Sequence, residues 1–175
     1  MSTQQNEQVN NEQQVMSLED DNQPTYITLT TKDGGSQRVN KAYACISKVL
    51  ATTLESDPTA TEVPLNEPEI NASILADVAA YIEHHKGTEP AIVEKPLRSK
   101  LMKEVTTAWC AEFIDRIGED RKKLYAMISC ANYLDIQSLL HLGCAKVASL
   151  IKGQPLDKIK EILTKNLQEQ QATTA

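Results

Sequence analysis

Cys130-Ala131-Asn132-Tyr133-Leu134-Asp135-Ile136, followed after ten intervening residues by Val147-Ala148-Ser149-Leu150-Ile151-Lys152-Gly153, is the stretch whose reading decides the fold. The two runs predict helices over 120–134 and 136–152, the second ended by Gly153. Apolar residues lie on more faces of these helices than a small domain needs to bury. Surplus apolar surface at fixed helical spacing marks a partner. In the second helix Cys144, Val147, Ala148 and Ile151 recur at i, i+3, i+4 and i+7, while Leu139, Leu142 and Leu150 lie elsewhere. One stripe can pack on a core and another can face a partner; the period alone leaves open which does which.

Upstream, the period changes. Tyr26-Ile27-Thr28-Leu29-Thr30-Thr31 alternates apolar and polar residues and is β-branched, so it reads as a strand with one buried face. Asp33-Gly34-Gly35 makes a hairpin turn and 36–39 the returning strand. Asn40 is placed to cap a helix over 41–54, with Ala42, Cys45, Ile46, Val49 and Leu50 on its apolar stripe. Glu62-Val63-Pro64-Leu65 is short and extended and fits an edge strand, since proline cannot donate to a central ladder. Asn71 opens a helix to about 85, closed by Gly87, with Ile74, Leu75, Val78, Ala79 and Ile82 along one stripe. A short helix over 108–117 carries Trp109, Phe113 and Ile117.

Three segments read differently. Residues 1–24 are rich in Gln, Asn, Glu and Asp and poor in apolar side chains, which predicts a disordered, solvated tail. Residues 88–107 contain Pro90 and Pro96 and the cations Lys95, Arg98, Lys100 and Lys103. They read as a mobile insertion that leaves the fold and returns, with at most a weak helix over 99–105. Beyond Pro155 a last helix bears Ile159, Ile162 and Leu163, and 168–175 should fray. The order gives a small α/β unit with a helical extension, not a doubly wound sheet.

The chain has 175 residues and a net charge of −6. An acidic surface of that kind argues against nucleic acid as a ligand. No apolar run is long enough to span a bilayer, and no signal core opens the chain, so a soluble intracellular protein is expected, with no membrane partner. Cys45, Cys110, Cys130 and Cys144 form no C-x-x-C pair and read as reduced thiols. Adjacent His84 and His85 point about 100° apart on a helix and cannot share one metal ion unaided. Neither a phosphate loop nor a nucleophile motif is present. Metal, cofactor and catalysis are therefore all unexpected.

Taken together, the ordered set resembles the S-phase kinase-associated adaptors of Skp–cullin–F-box (SCF) ubiquitin ligases, with a BTB/POZ-type fold. The set comprises the Asp33-Gly34 hairpin, Val63-Pro64-Leu65, His84-His85-Lys86, Trp109 with Glu112-Phe113, and Ala131 to Ile136 followed by Leu139-Leu140, Cys144, Val147-Ala148 and Ile151-Lys152-Gly153. The resemblance runs over about 26–165. It implies a BTB/POZ-like core over 25–134 and a helical F-box-binding extension over 135–167.

It also implies a bridge without catalysis, found in cytoplasm and nucleus. Asn132 and Tyr133 match positions that lie against a cullin. Ile128, Leu140, Cys144, Val147, Ala148, Ile151, Ile159, Ile162 and Leu163 fall on the side that holds the F-box of a substrate receptor. Family members usually continue with a further acidic helical segment, which is absent here, a departure that bears on F-box affinity and selectivity. The competing reading is a divergent BTB-type module that holds F-box-like partners outside ubiquitination, in kinetochore or trafficking assemblies, or associates with itself. An unpartnered apolar stripe further predicts homodimers when no partner is bound.

Overall fold

A computed structural model of the chain describes residues 26–163. The tail over 1–24, the frayed end over 168–175 and the last residues of the extension lie outside the described residues. β1 (Tyr26–Thr31) turns Ile27 and Leu29 fully inward and leaves Thr28 and Thr30 half-buried, as a period of two requires. The turn beyond it closes through Gly34 N–H to Thr31 O at 3.0 Å and Thr31 N–H to Gly35 O at 2.9 Å. Gly34 adopts φ +84°, a left-handed conformation that suits glycine. β2 (Ser36–Asn40) returns antiparallel, setting Tyr26 opposite Asn40. β3 (Glu62–Leu65) pairs in parallel on the other side of β1, giving the order β2-β1-β3. Pro64 is thus on an edge strand, where its missing N–H costs no ladder bond.

The helix predicted over 41–54 is corrected. The chain instead makes a 3-10 turn over Ala44–Ile46 and then α1 over Lys48–Ser56. Ser47 divides them. Its backbone is extended, its hydroxyl oxygen accepts from Leu50 N–H at 3.2 Å, and its O–H donates to the Leu134 carbonyl at 2.5 Å. A buried N-cap in mid-segment resets the helical phase. Ala44, Ile46 and Leu50 then face the core, while Ala42, Cys45 and Val49 are exposed. Asn40 ends β2, and its side chain accepts from Ala42 N–H at 2.9 Å.

α2 (Ala72–His85) begins at Asn71, whose side chain accepts from Ile74 N–H at 3.0 Å. It ends in Lys86 at φ 49°. α3 (Ala108–Ile117), α4 (Arg121–Tyr133) and α5 (Gln137–Ile151) follow, capped at their starts by Thr107, by Asp120 and by no side chain, respectively. A further helical stretch, α6, covers 156–163. One apolar core runs from Ile27 and Leu29 in the sheet through Leu75 and Val78 to Leu124, Leu134 and Leu139.

Two polar links tie the helices across that core. Asp77 of α2, largely buried, receives Arg116 of α3 at 3.1 Å and Lys123 of α4 at 2.6 Å. Tyr81 of α2, completely buried, donates its O–H to Ser138 Oγ of α5 at 3.0 Å. Neither link is visible in the periodicity, which omits both residues from the core stripe.

The segment over 88–107 lies along the core rather than leaving it. Val93 and Met102 are buried and Leu97 packs against the core. Glu89 accepts from Ser138 N–H at 2.9 Å, Lys152 Nζ donates to Leu97 O, and the helix shrinks to a 3-10 turn at Met102–Glu104.

Candidate partner interface

α4 and α5 meet at a tight turn that fixes the side chains around Tyr133. Ile136 N–H reaches Ala131 O at 2.9 Å and Asp135 N–H reaches Asn132 O at 3.1 Å, the paired bonds of a Schellman closure. Asp135 fills the left-handed position at φ 49°, which aspartate tolerates better than most residues. Cys130, Ala131, Leu134 and Ile136 are completely buried, while Asn132 and Tyr133 face solvent. Tyr133 is 36% exposed, so a large amphipathic ring stands at the surface on an anchored turn.

The same turn is tied to α1. Besides the Ser47 bond, Lys48 N–H reaches Asp135 O at 3.4 Å, and Lys48 Nζ lies 3.6 Å from Asp135 Oδ2. Beside this junction runs an open groove of about 610 Å³, lined by Lys48, Val49, Thr52, Thr53, Ser56, Asp57 and Asp135. Val49 is 36% exposed on its wall. The sequence reading missed this groove because it set Val49 on a core stripe; the Ser-x-x-Leu cap at Ser47 and the polar run Thr52-Thr53 were the available signals.

α5 divides into two faces. Ser138, Leu139, Leu142, Gly143, Ala145 and Ser149 are buried. Leu140, Val147, Ala148 and Ile151 are only half-buried, and Cys144 is exposed. Ile128 of α4 is half-buried against the same helix, and Gly143 allows that approach: a Cβ there would stand 2.6 Å from Ile128 Cγ1. Ile159 and Ile162 of α6 are half-buried and Leu163 is exposed. A second groove, of about 300 Å³, joins Arg121, Leu150, Gln154, Lys158, Glu161 and Ile162. Asn132 and Tyr133 thus share one turn, and the remaining predicted residues spread over α4, α5 and α6 with their side chains at least partly open.

An aromatic cluster joins α2 and α3. His84 stacks on Trp109 at 3.7 Å, Trp109 on Phe113 at 4.9 Å, and His85 tilts against Tyr81 at 4.4 Å. Burial, aided by the neighbouring His84, holds the His85 pKa below its ordinary value. Burial pushes the Cys130 thiol up to about 12 and raises the Tyr81 phenol as well. The Cys130 thiol and the Tyr81 phenol are therefore neutral at pH 7 and pack in the core, while His85 Nε2 lies 3.6 Å from Cys110 Sγ. Among the described residues there is no group of His, Cys, Asp and Glu that could hold a metal ion. No described helix is long and apolar enough to cross a membrane.

The arrangement defines a class: a small α/β core that presents helix faces to other proteins. Comparison with known proteins narrows it. Residues 25–87 match the model of the Skp1 family, tetramerisation domain. The S-phase kinase-associated protein 1 homolog of Tetrahymena thermophila is 35% identical over 78% of this chain and 80% of its own length. The E3 ubiquitin ligase complex SCF subunit sconC of Arthroderma benhamiae is 34% identical over 77% and 80%, and the SKP1-like protein 1A of Arabidopsis thaliana 34% over 77% and 81%. The chain belongs to the Skp1 family, and its sheet and helices form the BTB/POZ-like core with helical extension that the sequence predicted.

Proposed function

We propose that this chain is the adaptor subunit of an SCF-type ubiquitin ligase and bridges a cullin scaffold to F-box substrate receptors. Relatives named as SCF subunits favour this over the divergent-module reading. The observation that carries it is the presence of two solvent-facing surfaces on helices whose opposite sides share one buried core. Tyr133, Asn132 and the α1 groove form the first surface and would seat the cullin. A stiff aromatic ring on an anchored turn, with the exposed Val49 in the neighbouring groove, supplies the kind of anchor that dominates interface energetics. The half-open stripe of Leu140, Cys144, Val147, Ala148 and Ile151, with Ile128 and the apolar side of α6, would take the F-box. Such a subunit performs no chemistry; it holds two partners in a fixed relation, and ubiquitin transfer takes place elsewhere in the complex. Without partners the stripe would favour homodimers, and the setting would be cytoplasm and nucleus.

Affinity purification of the full chain and of Tyr133→Lys tests the assignment. The variant is expected to lose the cullin and keep F-box proteins. Undiminished cullin recovery refutes the cullin surface.

A further inference from the structure

The α5 helix carries the half-open stripe but supplies no cap of its own. Its N-cap residue is Ile136, whose side chain makes no capping hydrogen bond. The first-turn amides of a helix need a partner from elsewhere. Here the Ser138 N–H donates to Glu89 at 2.9 Å, 49 residues earlier in the chain. The carboxylate also meets the positive end of the helix dipole.

At the other end of α5, Lys152 Nζ donates to the Leu97 carbonyl, and the Lys100 ammonium lies beside Gly153, 3.1 Å from where a Cβ would stand there. One short segment therefore reaches both ends of the helix. The lengths match. From Ser138 to Lys152 the helix rises about 21 Å. From Glu89 to Leu97 the chain spans about 26–29 Å at full stretch. Residues 89–97 must run alongside α5, in the same direction and with little slack.

The helix has a row suited to that approach. Ser138, Ala145, Ser149 and Lys152 recur at i, i+7, i+11 and i+14, along one line of α5. The first three are small and buried. Both hydroxyls are satisfied, Ser138 Oγ by Tyr81 and Ser149 Oγ by the Lys146 carbonyl at 2.7 Å. Val93 is buried and sits midway between Glu89 and Leu97; by this spacing it falls level with Ala145, midway along the helical row. The stripe of Leu140, Cys144, Val147 and Ile151 is turned about 140° from the row, so a chain held on the row leaves the stripe free.

We propose that residues 89–97 splint α5, and that Glu89 and Lys152 are positioning residues for the stripe: acting through the helix, they fix where an F-box docks. The role rests on the adaptor reading of that stripe. A helix already held in place binds its partner without an ordering cost.

Amide hydrogen exchange of the 15N-labelled full chain tests the splint, and titration with a purified F-box domain tests its consequence. Glu89→Ala removes the acceptor. It is expected to speed exchange of the Ser138 amide and its first-turn neighbours about fivefold, the usual effect of losing a helix cap, while α3 keeps the parent rates. Glu89→Gln retains an acceptor oxygen and should restore most of the protection. Lys152→Met should speed exchange over 149–152 and leave 137–140 at parent rates. Affinity for the F-box domain should fall about threefold or more in Glu89→Ala and recover in Glu89→Gln. Parent-like exchange at Ser138 in Glu89→Ala overturns the splint. So does an equal acceleration in α3, which would make Glu89 a contributor to overall stability alone. Faster exchange at Ser138 with unchanged F-box affinity overturns the positioning role. A parent chain that binds no F-box domain refutes the adaptor reading and the positioning role with it, while the exchange rates still decide the splint.

Discussion

Asp77 offers the most direct test of how the helices are held. Its side chain is only 10% exposed, with Arg116 at 3.1 Å on Oδ1 and Lys123 at 2.6 Å on Oδ2. The two cations are not equivalent. The Arg116 side chain is 63% exposed, so water already shares its charge, whereas Lys123 is 31% exposed. Oδ2 is buried and has no hydrogen-bond partner apart from that ammonium contact. Breaking a fully buried pair costs about 3–5 kcal/mol, and a surface pair is worth about 0–1. Lys123→Met strands the inner oxygen while Arg116 still holds the outer one, which places its cost at about 2–3 kcal/mol. Arg116→Met leaves Lys123 in place and should cost under about 1 kcal/mol. Urea unfolding reads the difference as a shift in midpoint at constant slope. Equal losses for the two variants, or a smaller loss for Lys123→Met, would refute the reasoning. Because α4 ends in Tyr133, Lys123→Met also tests whether loosening α2 against α4 weakens partner binding at the turn.

Three further outcomes follow from the geometry. His85 has a folded pKa below its unfolded value of 6.5, so the unfolded chain binds the proton more readily; stability should be full above pH 6.5 and fall as pH drops below it, and His85→Gln should flatten thermal melts taken between about pH 7.5 and 5.5. Cys45 and Cys144 are exposed while Cys110 and Cys130 are buried, so alkylation at neutral pH should modify two thiols quickly and two only on unfolding. A bound F-box peptide should shield Cys144 and not Cys45; reversed shielding would move the interface off α5. Val147→Asp with Ile151→Asp should remove F-box partners while costing about 1–3 kcal/mol in total, since both side chains are only half-buried. Wholesale unfolding of that variant in circular dichroism would make the stripe core.

Where structure depends on neighbours in the chain, the sequence was sufficient. Alternation set β1, the Asp33-Gly34 turn set the hairpin, and Pro64 set β3 at an edge. Asn71 and Gly87 bracketed α2, and the helix read over 108–117 is α3, Ala108–Ile117. The ordered motifs also carried the family. What failed was decided by residues far apart. Ser47 breaks the helix after β2 because its hydroxyl reaches Leu134, 87 residues on, and that contact turns Val49 outward onto a groove. The 88–107 segment is held by Val93, Met102 and the Glu89 bond to Ser138, none of which has a local signature. Helical period showed that α5 has two apolar stripes, but only the packing of α3 and α4 against it, with Gly143 set on Ile128, decided which one is left open. Periodicity reports the spacing of apolar groups along one helix; which of them meets water is set by the other helices.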